Sequence, residues 1–236
     1  MRAGGDPAIS AADVVRRGER EAVVVKPAGL SSEAPGAGRP GAPRTLIEQA
    51  RLLLGWPDAQ LPHRLDRPTR GFVVVARDRG AVAAHNESIR AGRWSKRYLA
   101  RVRPAAGAHA EALVGEHRAY LRREGPVARI VRSGGDPSTL TVEAVAPAPG
   151  RPGEFDALVL LGTGRFHQVR AMLAHLGAPL VGDRDYGGAA GPMRLEHAWL
   201  AFPSADDGTR RIHWRPDDPG REPVDPSLVA CLSACP

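Results

Sequence analysis

Residues 63–71 read HRLDRPTRG and run straight into FVVVA. One carboxylate, Asp66, stands there among His63, Arg64, Arg67 and Arg70, and the next acid along the chain is Asp78. An ordinary charged turn has this look, because Pro68 and Gly71 supply turn chemistry ahead of a strand. A carboxylate held ionised for chemistry has it too, since a nearby guanidinium favours the charged form where desolvation would otherwise raise the pKa. Such a group can serve as a nucleophile or as a charge stabiliser.

The elements that must position Asp66 can be read from pattern. EAVVVK (21–26) and FVVVA (72–76) have the β-branched runs of buried strands. PAGL follows the first as a turn, and SSEAPGAGRPGAP (31–43) reads as a flexible loop. Thr45 is placed to cap a helix carrying Leu46, Ala50, Leu53 and Leu54, stopped by Gly55 and Pro57; Asp78 caps a second helix that runs through Arg90 to Gly92. KRYLARV (96–102), TLTVEAV (139–145) and DALVLL (156–161) read as further strands, the last two joined by a loop alone. In FHQVRAMLAHLG, Val169, Met172, Leu173 and Leu176 share one face of a helix that ends at Gly177. Strand and helix do not alternate regularly, so the expected class is α+β and not a parallel βαβ array.

Length and composition bound the partners. A chain of 236 residues with 42% hydrophobic and 25% charged residues buries a core, and a single domain is expected. No apolar run reaches the ~20 residues of a membrane span, and the first residues lack the apolar core of a signal peptide, so the expectation is a cytoplasmic protein with no membrane contact. Net charge is +7, and it is not spread evenly: between Asn86 and Arg132 eleven cations face four glutamates, an excess as large as the whole chain's. Concentrated Arg of this kind is the footprint of a phosphate-binding face, with a merely solvated charged surface as the plain alternative. Cys231 and Cys235 are too few and too close for a disulfide framework or a four-ligand zinc site.

Four stretches in order, VVVKPAGL, HRLDRPTRGFVVVA, WSKRYLARV and GTGRFHQVRAMLAHLGAPLVGDRDYGG, resemble the RluA-type family of RNA pseudouridine synthases. The resemblance spans residues 23–202 and implies a bent, mixed, mainly antiparallel sheet flanked by helices. It implies a catalytic domain at 21–203 after an extension at 1–20, and the Pro- and Asp-rich stretch 204–236 reads as an irregular tail. It assigns Asp66 as the catalytic aspartate, Tyr98 as the ring packed on the target uracil and Arg165 as the cation paired with the aspartate. Arg64 takes the role of displacing the target nucleotide, and Val169 lines the pocket. His63, Arg67, Thr69, His167, Gln168 and Arg170 complete the expected substrate contacts, with His167 and Gln168 also read as orienting the loop before the helix. Arg70 and Phe166 depart from the family pattern, and both bear on substrate choice.

Elementary chemistry agrees with that reading. Turning uridine into pseudouridine breaks a C–N bond, rotates the bound base and makes a C–C bond; nothing is oxidised and no redox cofactor is required. The chain has no GxGxxG, P-loop or HExxH signature. What the resemblance implies is a protein acting on tRNA or rRNA without cofactor or metal, with the target base extruded from its stack, and a monomer is expected. Two rivals stay open: an RNA-binding relative without turnover, and a metal-assisted hydrolase built on His63, Asp66 and His167.

Overall fold

In the computed structural model, which describes residues 7–33 and 45–236, the apolar runs become strands as their patterns require. In chain order the elements are β1 (Val14–Arg17), β2 (Glu21–Lys26), α1 (Leu46–Leu54), β3 (Arg70–Ala76), α2 (Arg79–Arg90), β4 (Ser95–Val102), β5 (Gly115–Glu124), β6 (Val127–Val131), β7 (Asp136–Pro147), β8 (Phe155–Leu161), α3 (Gln168–His175), β9 (Leu195–Pro203), β10 (Arg210–Trp214) and α4 (Pro226–Ser233). They fall into two compact units. One holds the chain up to Trp94 with Leu200–His213; the other holds Ser95–Trp199 with Trp214–Pro236. Most of the loop expected at 31–43 lies outside the described residues.

In the first unit β1, β2 and β3 pair antiparallel in that order, so residues expected as a plain extension supply an edge strand. Val23, Val25, Phe72 and Val74 meet Leu200 and Phe202 in a core against which Val15 and Trp94 pack. Burying each such side chain contributes roughly 1.5–3 kcal/mol. Thr45 and Glu48 form a capping box that starts α1, and Gly55 ends it in a left-handed conformation. Asp78 accepts the amide of Ala81 to start α2. Both helix boundaries match the expectation.

In the second unit the strands run β4-β8-β7-β5-β6, all antiparallel. Helix α3 differs from its pattern: residues Gln168 to Leu173 are all buried, polar ones included, because their side chains bond within the unit. The tail is a correction. Residues 204–236 were expected to be irregular, yet they contain β10 and α4. Asp225 caps α4, Pro226 sits at its first turn, and Leu228 and Leu232 are buried. Arg101, itself in a buried ion pair with Asp156, reaches Glu222 at 2.8 Å and the Pro223 carbonyl at 2.8 Å, and Arg221 pairs with Glu196 at 2.8 Å.

A buried acid organises the first unit. Glu21, wholly buried at the start of β2, meets His85 at 3.0 Å, Arg16 at 2.6 Å, the Ser204 hydroxyl at 2.7 Å and the Ala205 amide at 2.8 Å. Burial pushes its pKa up, but the bonds from His85, Ala205 and Ser204 outweigh this and bring it to about 2. The depressed pKa makes the unit more stable above the ordinary value of 4.5, an advantage lost as pH falls toward 2. Glu21→Gln should therefore lower urea-unfolding stability at neutral pH by about 3 kcal/mol, and the gap from the native chain should close between pH about 4.5 and about 2.

Candidate active site

The stretch HRLDRPTRG is pinned at every few residues. His63 accepts the Val74 amide on its Nε2 at 3.0 Å, and Gln60 exchanges two backbone bonds with Ala76, both 2.9 Å, so the approach to the loop lies along β3. The Thr69 amide donates to the Asp66 carbonyl at 3.0 Å and closes a turn around Pro68. Gly71 then takes φ +117°, a conformation that L side chains rarely adopt, as the chain enters β3. Asp66 is half-buried within this turn, Arg64 and Arg67 are exposed, and Thr69 is 2% exposed with no hydrogen-bond partner for its hydroxyl among the described residues.

A second loop clamps the first. Gly29 donates its amide to the Arg67 carbonyl at 2.8 Å, and Arg67 Nε donates back to the Gly29 carbonyl at 2.9 Å. Ser32 Oγ donates to the Leu65 carbonyl at 2.7 Å and accepts the Leu65 amide at 3.2 Å. Between the loops lies Lys26, 0% exposed, whose ammonium donates to the carbonyls of Leu30 at 2.7 Å and of Pro27 and Arg67 at 3.1 Å. Burial brings its pKa down to about 7, and the Asp66 carboxylate opposes that fall. A buried lysine at the end of β2 is thus one cation that interacts with the Asp66 carboxylate within this unit. Sequence reasoning missed it because a Lys after an apolar run reads as the point where a strand reaches water.

The other expected site residues belong to the second unit. Tyr98, on β4, is 6% exposed and stacks on His197 with ring centroids 4.8 Å apart. Arg165 is exposed; its Nε donates to the Pro137 carbonyl at 3.4 Å, and its guanidinium meets no carboxylate of its own unit among the described residues. Val169 is buried. Gln168 braces the loop before α3. Its Oε1 accepts from Thr163 Oγ1 at 2.7 Å and from the Arg165 amide at 3.0 Å, while Nε2 donates to the Thr139 carbonyl at 2.8 Å.

His167 and Arg170 are likewise engaged within the protein. His167 holds φ +52°, the one positive value among described residues other than glycine, a conformation that costs about 1–3 kcal/mol. Its ring stacks on Phe166 with centroids 3.8 Å apart. Arg170 NH1 lies 2.7 Å from His167 Nε2 and can only donate, so Nε2 accepts, and Nδ1 carries the proton toward the Tyr186 hydroxyl at 3.0 Å. Arg170 also grips Asp183 with two bonds of 2.7 Å and Asp185 at 2.8 Å. The substrate contacts expected of Gln168, His167, Arg170 and His63 thus fall on side chains whose polar atoms already hold the loops beside Arg165 and Asp66.

Comparison with known proteins bears on what this arrangement is for. Residues 21–175 match the model of a family described as RNA pseudouridylate synthase. The chain is 36% identical over 186 residues to ribosomal large subunit pseudouridine synthase D of Xylella fastidiosa, covering 75% of this chain and 52% of the relative. It is 30% identical over 212 residues to the dual-specificity RNA pseudouridine synthase RluA of Vibrio parahaemolyticus, covering 86% of this chain and 80% of the relative. The chain spans about half the length of the Xylella relative and of other such D-type synthases it matches. Human RNA pseudouridylate synthase domain containing 1 shares the fold, with a TM-score of 0.70, 24% identity and coverage of 100% of this chain and 99% of that one.

The Lys26 clamp has a pH signature of definite sign. Unfolded, its amine keeps a proton up to about 10.5; folded, it gives the proton up near 7, so this group lets stability rise with pH between those values. Lys26→Met should destabilise the protein by about 2–3 kcal/mol at pH 7, because three carbonyls lose a shared donor. The native chain's advantage over this variant, read from denaturant midpoints, should widen as pH is raised from 7 toward 10.

Proposed function

Because the chain belongs to the RNA pseudouridylate synthase family, in its RluA-type branch, we propose that it isomerises uridine to pseudouridine at particular sites of structured tRNA or rRNA. The observation that carries this reading is the placement of Asp66. It is a half-buried carboxylate in a turn locked on both sides by backbone bonds, with a buried ammonium acting on it. A catalytic group must be held to within a fraction of an ångström, and this loop is built for that.

In the reaction the N1–C1′ bond breaks and a C5–C1′ bond forms. C5 gives its proton to solvent, and N1 gains one. Asp66 acts at the sugar as the base departs, either as nucleophile or by stabilising positive charge at C1′. Arg165 serves as its cationic partner, a role open to it because no carboxylate of its own unit among the described residues claims its guanidinium. Tyr98, its ring held by the stack on His197, is the aromatic that packs on the extruded uracil, and Val169 supplies an apolar wall. The unpartnered Thr69 hydroxyl is available to a polar atom of the nucleotide. Arg64, exposed two residues before Asp66, fills the space that the flipped nucleotide leaves, which offsets part of the few kcal/mol that unstacking costs.

Asp66→Asn keeps the shape of the side chain and removes its charge. It should abolish tritium release from RNA carrying 5-tritiated uridine, a fall of at least about a thousandfold in single turnover, while RNA affinity stays within a few fold. Undiminished release would remove Asp66 from the mechanism. RNA binding by the native chain with no pseudouridine on total cellular RNA would favour a binding relative without turnover.

A further inference from the structure

The β5–β6 hairpin carries four of the chain's arginines, Arg118, Arg122, Arg123 and Arg129, against Glu116 and Glu124, with Arg132 just after it, and the chemistry at Asp66 uses none of them. Pairing register sorts them by face. Tyr98 lies opposite Val159, Val159 opposite Val142, and Val142 opposite Gly115; stepping by two along β5 puts Leu121 and Arg123 on the Tyr98 face of this sheet. On that face Leu121 is buried, and Arg123 lies over the Phe166 ring at 4.5 Å. The other face presents Arg118, Tyr120 and Arg122 in alternation, all exposed, with Tyr120 at 50%.

That outer face has an arrangement that folding alone does not favour. Arg122 stands directly opposite Arg129, and like charges in a cross-strand pair are destabilising. Arg122 is eased by Glu124 at 2.7 Å, but Arg129 meets no carboxylate among the described residues. Tyr120, between Arg118 and Arg122, adds a large exposed ring opposite Val131 and Pro137. Guanidinium groups spaced along a strand, interleaved with an open aromatic face, match the alternation of phosphate and base in an unpaired nucleic-acid strand.

We propose that the outer face of the β5–β6 hairpin is a second RNA-binding surface, in which Arg118, Arg122 and Arg129 meet phosphates and Tyr120 stacks an unpaired base. The proposal rests on the reading of the chain as an RNA-modifying enzyme and adds the surface that holds RNA away from the reacting uridine. Since this face is turned away from the one that carries Tyr98, it contributes to affinity and not to the chemical step.

The test uses Arg129→Glu, which places a carboxylate opposite Arg122 and breaks no ion pair, so hairpin stability and RNA affinity should move in opposite directions. Binding of the full chain to a fluorescein-labelled RNA stem-loop with a uridine-containing loop is followed by anisotropy across a salt series, with Arg151→Glu, an exposed reversal elsewhere, as the charge control. Arg129→Glu should leave the melting temperature equal or higher, weaken binding about tenfold and make the salt dependence shallower by about one. Tyr120→Ala should weaken binding about tenfold without altering the salt slope. Single-turnover pseudouridine formation at saturating RNA should stay within twofold for both.

Affinity of Arg129→Glu equal to that of Arg151→Glu overturns the proposal, as does a native chain that fails to bind the stem-loop at low salt. Self-association of the native chain that Arg129→Glu abolishes, with RNA affinity unchanged, also overturns it and gives the face to a second copy. If the expected binding losses occur while the native chain makes no pseudouridine, the hairpin surface stands and the synthase reading falls. If pseudouridine forms and the hairpin variants bind normally, only the hairpin surface falls.

Discussion

The buried ammonium of Lys26 is the interaction on which the candidate site depends. Three carbonyls from two loops converge on it, two from the turn after β2 and one from the turn that contains Asp66. A lysine so enclosed is expensive to desolvate, and its lowered pKa is the mark of that expense. What the fold gains is geometry. The paired bonds between Gly29 and Arg67, and between Ser32 and Leu65, make the two loops one rigid piece that starts and ends on the paired strands β2 and β3.

The second unit uses a different device for the same end. Around Arg165 the loop is held from behind by Gln168, whose amide bridges three backbone or hydroxyl groups, and by a histidine forced into a left-handed backbone conformation. Arg170, Asp183 and Tyr186 supply the bonds that keep His167 there. Strain of this kind persists only where the surroundings overdetermine it, and it marks a loop whose position matters more than its own stability.

How far the sequence revealed this depended on whether a signal was local. Helices α1 and α2 were readable because Thr45, Asp78 and Gly55 are local capping signals, and β2 and β3 because unbroken valine runs have few other fates. The β5–β6 hairpin escaped notice because GEHRAYLRRE alternates charge with small or apolar residues only weakly, and its like-charge pairing argues against a strand until the register is known. The tail looked irregular from its proline and aspartate content, yet its order comes from distant partners, Arg101 on β4 and Glu196 on β9. At the site, Asp66 and Arg165 were visible as motif residues. The bracing of the loop before α3 by His167 and Gln168 was legible too, but the roles of His63 and Arg170 as braces were not, because a side chain that could meet substrate and one that holds a loop share the same letter. Only the bonds tell them apart.

Gly71 has a consequence for how this enzyme family member can vary. With φ at +117° and Lys26 as its cross-strand neighbour, the glycine is a fixed pivot five residues beyond the carboxylate. Lengthening the span from 66 to 71 by a single residue would shift the Asp66 carboxyl by about 3 Å along the chain while the pivot stayed in place. Added length is therefore absorbed more readily in segments that do not share the anchor points of this arc.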